Sequence, residues 1–150
     1  MLHVPTFRQP DDVACLPTCV RAVLAFRGYP LSDEDASRLC QTDYEGTVID
    51  LALSGLADAG LDADLHQFES VAELRELIAD GQPVVTFLRH PSGSLHAVVV
   101  CDVTPSAVTV MDPGPGEYAM LPLSRFEDLW CRVQNEGIVV GRTAASASRP

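Results

Sequence analysis

Lysine is missing from this sequence: all ten cationic residues are arginines, set against 21 acidic ones for a formal charge of −11. A field of that sign repels phosphate backbones and excludes nucleic acid as a partner, while serving solubility in general. Long apolar runs are also missing. The longest near the middle, Ala97 to Cys101, falls far short of the roughly 20 residues that cross a bilayer. The opening Met1-Leu2-His3-Val4-Pro5 lacks a cationic segment followed by an apolar one, so it does not read as a secretory signal, and the expected location is cytoplasmic. Cysteine is sparse and odd in number. Cys15, Cys19, Cys40, Cys101 and Cys131 are scattered through apolar context rather than forming an even disulfide framework, which fits a reducing compartment. No internal repeat breaks the 150 residues, so 1–141 are expected to form one domain and 142–150 a disordered tail.

What is present divides into two periods. The first half carries helix starts whose side chains can accept from free backbone amides: Ser32, Thr47 with Asp50, Ser70 with Glu73 and, further on, Ser124 with Glu127. They predict helices near 33–40, 48–59, 71–80 and 125–131, with Gly28, Gly60 and Gly81 as left-handed stops. Another helix precedes them over Cys15 to Arg27, with its single Pro17 in the first turn, where a missing amide does no harm. The second half is a series of β-branched runs, 83–89, 95–103, 107–111, 117–121 and 137–140, expected to pair as an antiparallel sheet. The class is α+β, a helical N-terminal half packed on an antiparallel sheet from the C-terminal half.

Chemistry enters at the start of the first helix. A thiol there lies beside unsatisfied amides and the positive end of the helix dipole, which favour the thiolate. On position alone Cys15 is equally well a small buried hydrophobe. A thiolate nucleophile needs a base that can become a cation and a third group to hold that imidazole. His3 is near a free end, His66 belongs to an edge strand, and His90 sits in the turn His90-Pro-Ser-Gly-Ser94, where surface roles are the default. His96 opens an apolar strand and must find partners. Asp112 lies 16 residues later, with Thr104 at the midpoint of the only turn signal between the strands, so a hairpin folded there sets the two nearly opposite each other.

The local words around these residues resemble a known family. Gln9, six residues ahead of Cys15, followed by Asp-Asp-Val-Ala-Cys15-Leu-Pro-Thr-Cys19, is similar to the nucleophile region of the bacteriocin-processing cysteine peptidases, which remove double-glycine leader peptides. Leu95-His96-Ala-Val-Val-Val100 resembles that family's histidine strand, Val110-Met-Asp112-Pro-Gly its aspartate turn, and Phe126-Glu-Asp-Leu-Trp130 the segment after it. The match runs over roughly residues 4 to 140 in the family's order.

The resemblance implies a papain-like cysteine peptidase fold with Cys15 as nucleophile, His96 as general acid and base, Asp112 as its orienter and Gln9 as the side-chain donor of the oxyanion hole. It implies a peptide or protein substrate and no cofactor. Leu16 stands where the family usually carries glycine and is expected to narrow the approach to Cys15. Family members are commonly fused to a membrane transporter and an ATP-binding domain, which these residues lack, so cleavage of an exported bacteriocin precursor is not carried over. Two other classes compete with hydrolysis through a thioester: a peptide-binding module that kept the groove, and a metal or redox pair at Cys15 and Cys19. The second lacks the usual two-residue spacing and a second ligand pair. A transferase using the same thioester shares every residue with the peptidase.

Overall fold

Alanine, leucine and valine recur along the stretch after Ala14 on one side of a 3.6-residue spiral. It forms α1 (Cys15–Phe26), burying Leu16, Cys19, Val20, Val23 and Leu24. Gly28 follows at φ 83°, a left-handed geometry that ends a helix cheaply only without a Cβ. Gly60 and Gly81 end later helices in the same way, each at φ 82°.

The computed structural model describes residues 1–143, so the expected tail over 142–150 lies, from residue 144 on, outside the described residues. After α1 come α2 (Asp33–Leu39), α3 (Ile49–Asp58), β1 (Leu61–Gln67), α4 (Val71–Ala79), β2 (Val84–Arg89), β3 (Leu95–Val103), β4 (Ala107–Asp112), β5 (Glu117–Pro122), α5 (Leu123–Cys131) and β6 (Glu136–Thr143). The six strands of the described residues form one sheet in the order β1-β6-β2-β3-β4-β5, every neighbouring pair antiparallel. This is the expected α+β arrangement. One strand, β1, comes from the helical half and pairs with β6 at the sheet edge, which puts His66 in the edge strand expected for it.

Successive residues of a strand face opposite ways. Phe87 of β2 faces the cavity beside Cys15 and Leu16 of α1, while Leu88 faces Leu129 of α5, so α1 and α5 cover opposite faces. Trp130 and Phe126 anchor α5, with ring centroids 5.3 Å apart. The Trp130 indole N–H donates to the Glu136 carbonyl at 3.0 Å, which removes the cost of burying it.

Of the expected helix starts only α2 follows its side chain: the Ser32 hydroxyl accepts from the Asp35 amide at 3.1 Å. At α3 the cap is Val48, because the Thr47 hydroxyl pairs with Thr42 at 2.6 Å instead. Before α4, Ser70 makes no capping bond, and the Glu73 carboxylate reaches back one residue further, to the Glu69 amide at 2.8 Å. Helix α5 begins ahead of Ser124, behind Pro122, where the Leu123 amide is anchored on the Ser106 carbonyl at 2.9 Å.

Candidate active site

Residue Ala14, the N-cap of α1, offers no side-chain acceptor, and the first turn carries no carboxylate. The amides there are open, and that of Leu16 is among the groups that lower the Cys15 thiol. Half-buried, Cys15 has its thiol pushed up by burial, but a hydrogen bond from His96, another from the Ala97 amide and the imidazolium's charge outweigh that and hold it below the ordinary thiol range. Cys19, one turn on, is fully buried in the core, and burial pushes its thiol well above that range.

The place where His96 and Ala97 meet Cys15 is a split in the sheet. Strand β3 starts at Leu95, but its pairing with β4 begins only at Val99, opposite Met111. The Ala97 amide is therefore free to serve the thiol, and β4 runs out at Asp112 beside the gap. His96 Nε2–H donates to Asp112 Oδ1 at 2.6 Å, leaving Nδ1 as the nitrogen that turns to Cys15. The hydrogen bond to Asp112, then the one to Cys15, raise the imidazole to about 9 against the opposing effect of burial. The hydrogen bond from His96 holds the Asp112 carboxyl below its ordinary value, helped by the Gly114 amide at 3.0 Å.

His96 and Asp112 are not directly opposed, as a hairpin centred on Thr104 implies. Val103 pairs with Val108, and a bulge at Cys101 shifts the register, so that Val99 faces Met111 and Asp112 falls level with Val98. The pair is diagonal, on one face of the sheet, and the length of the imidazole spans the difference.

A second set of contacts ties the N-terminal segment to the aspartate turn. The Gln9 amide donates to the Pro113 carbonyl at 2.8 Å, and the Gly116 amide closes the turn on the Asp112 carbonyl at 2.9 Å. Gly116 has φ 73°, and a Cβ there would stand 2.8 Å from Arg8 Cβ and 2.9 Å from Arg8 N, so the segment passes where only glycine leaves room. The Gln9 side chain donates Nε2–H to the Asp11 carbonyl at 2.7 Å, and its buried Oε1 has no partner among the described residues. The structure thus brings Cys15, His96 and Asp112 together, while Gln9 joins them through its backbone.

Two cavities flank the split. One, about 210 Å³, is lined by Cys15, Leu16, Phe87, Leu95, Ala97 and the 45–47 loop, among others; the other, about 300 Å³, lies against His96 and Asp112 on the α5 face. Leu16, expected to narrow the approach, is 4% exposed and belongs to the core, so it forms a wall of the first cavity. The remaining histidines stay at the surface: His66 bonds Glu73 at 2.5 Å, His90 bonds Ser92 at 2.9 Å within its turn, and His3 is exposed. Cys131 is exposed, unlike the apolar setting expected for it. Sequence reasoning missed the amides of Ala97 and Gly114. The second carried a signal, since a residue two after an aspartate in a Pro-Gly-rich run is the natural donor of an Asx turn.

The family model described as the Peptidase_C39 like family matches residues 1–138. No curated protein matches the sequence. Solved structures of similar fold include a C39-like peptidase from Bacillus anthracis at 18% identity and TM-score 0.72, covering 95% of this chain and 97% of that one. The peptidase domain of Streptococcus ComA, from a bifunctional ABC transporter of a quorum-sensing pathway, aligns at 17% identity and TM-score 0.74, over 94% and 100% of the two chains. A double glycine motif protease from an AMS/PCAT transporter, solved with its leader peptide, aligns at 18% identity and TM-score 0.75, over 95% and 94%.

Proposed function

This chain belongs to the Peptidase_C39 like family, and from that premise we propose that it is a cysteine peptidase that cleaves a peptide or isopeptide bond through a thioester on Cys15. The observation that carries the proposal is the Cys15 thiol, drawn below its ordinary range at a helix start, beside an imidazole whose far nitrogen is held by Asp112 at 2.6 Å. The leader peptide bound to the double glycine motif protease supports a peptide as substrate. A cytoplasmic site of action is part of the proposal and rests on the sequence; among the described residues no helix is long and apolar enough to cross a membrane.

In the first half-reaction the Cys15 thiolate attacks the scissile carbonyl. The oxyanion that develops is met by the Cys15 backbone amide and the second N–H of the Gln9 amide group, which its bond to Asp11 leaves unspent. His96 Nδ1–H protonates the leaving nitrogen, the C–N bond breaks, and a thioester remains. His96, now neutral, takes a proton from water as the water attacks; the C–S bond breaks and the pair of ions is restored.

Mass spectrometry of a peptide library tests this. Cleavage is expected with the native chain and none with Cys15→Ala. A library bound by both proteins and cut by neither would identify a binding module and end the peptidase reading.

A further inference from the structure

The apolar cavity on the α5 face is not used by any step above, and its position assigns it a substrate. Its floor is Leu88, Val98, Val110 and Leu129, all buried, and its rim includes half-buried Ala119 and Leu121 of β5. Its only acidic or basic lining groups besides the exposed His90 ring are His96 and Asp112 themselves. At about 300 Å³ it has the size of the smaller ligand pockets, which run roughly 300–1,000 Å³.

Chemistry orients a bound peptide across the split. The scissile carbon must bond Cys15 Sγ, and the nitrogen that leaves must lie against the imidazole that protonates it. The cavity lined by Cys15 therefore belongs to the acyl side of the scissile bond, and the cavity lined by His96 and Asp112, but not by Cys15, to the amine side. We infer that the groove between the β3–β4–β5 face and Leu129 is an amine-side subsite, which admits an apolar side chain on the residue following the cleaved bond. The inference rests on the peptidase reading and adds to it a specificity on the amine side.

By microscopic reversibility the same groove selects amines that attack the thioester. The amine nitrogen adds to the carbonyl, its proton passes to neutral His96, a C–N bond forms and the C–S bond breaks to return the Cys15 thiolate. Partitioning of an acyl-enzyme between water and added amines thus reads the groove without any natural substrate.

The experiment uses the full chain and benzyloxycarbonyl-Gly-Gly p-nitrophenyl ester, which forms the thioester while placing no residue on the amine side. A burst of p-nitrophenol is expected, absent in Cys15→Ala. Leucinamide should then capture the acyl group about 10–100-fold better than glycinamide, the range a filled apolar pocket gives. That preference is a ratio within one protein, so it does not depend on how much of a variant is active. It should fall toward one in Leu121→Asp, whose side chain is on the rim, and decline in the milder Leu129→Ala. A burst without preference, or a preference that both variants keep, overturns the inference and leaves the peptidase reading standing. Absence of any Cys15-dependent release of p-nitrophenol, together with no cut in the peptide library, removes both.

Discussion

His96 gives Nε2–H to Asp112 and turns its other nitrogen to Cys15, so the carboxylate decides up to what pH the ring keeps its proton. Turnover should rise as Cys15 ionises below the ordinary thiol range, and fall as His96 loses, near about 9, the proton the leaving amine needs. Asp112→Asn keeps an acceptor for Nε2–H but removes the charge. Its kcat/KM profile should show a lower plateau and an alkaline limb moved to lower pH; a limb that does not move would leave Asp112 no part in setting the proton. The same shifts act on folding with fixed signs. His96, raised when folded, stabilises the chain below 6.5 and ceases to as pH climbs through about 9, whereas Asp112, lowered when folded, stabilises above 3.8 and loses this in acid. Gln9→Ala should lower kcat by about 10²–10³ with KM little changed, if its amide meets only the oxyanion. Loss of affinity at constant kcat would make it a substrate contact instead. The partners of His96 were legible because an imidazole at the head of an apolar strand needs them. The bond from Gln9 to the Asp11 carbonyl was not, since a side chain's choice among nearby carbonyls depends on how the loop is folded.

At the scale of elements, the aspartate turn holds two things at once, the Asp112 carboxylate through Gly114 and the Arg8–Gln9 segment through Pro113 and Gly116. Gly116→Ala should cost about 1–3 kcal/mol and also lower kcat, because the new methyl must displace Arg8. Gly81→Ala is the matching control: φ is positive there too, at 82°, yet a Cβ would meet nothing within 4 Å. Thermal melts should fall for both variants and kcat for Gly116→Ala alone; equal kcat losses would mean that the turn does not position the site. Elements read well from the sequence where one local cause dominated, as with the three glycine stops and the alanine, leucine and valine of α1. They read poorly where tertiary contacts competed. Thr47 abandons its cap for Thr42, α5 starts where Leu123 finds Ser106, and the bulge at Cys101 changes the register that turn position alone implies.

Across the whole molecule, 21 acidic residues face ten arginines, and the repulsion acts on the folded state more than on the expanded one. Raising salt from 0.01 to 0.15 M shortens the screening length from about 30 to about 8 Å and should raise Tm; a fall would show that ion pairs such as Arg21–Asp33 outweigh the net charge. The larger consequence of the fold is that the helix start from the first half and the sheet split from the second close on each other, and only then do Cys15 and His96 form a pair. The rate of iodoacetamide alkylation at pH 6, followed by quantitative mass spectrometry in a Cys131→Ser background that removes the one exposed thiol of the described residues, measures that pair directly. Cys15 should be labelled selectively while buried Cys19 stays unmodified, and His96→Ala should slow the labelling at least about tenfold, the imidazolium being what holds the thiolate. Labelling of Cys15 and Cys19 at equal rates, or a Cys15 rate indifferent to His96→Ala, would contradict a nucleophile activated by His96.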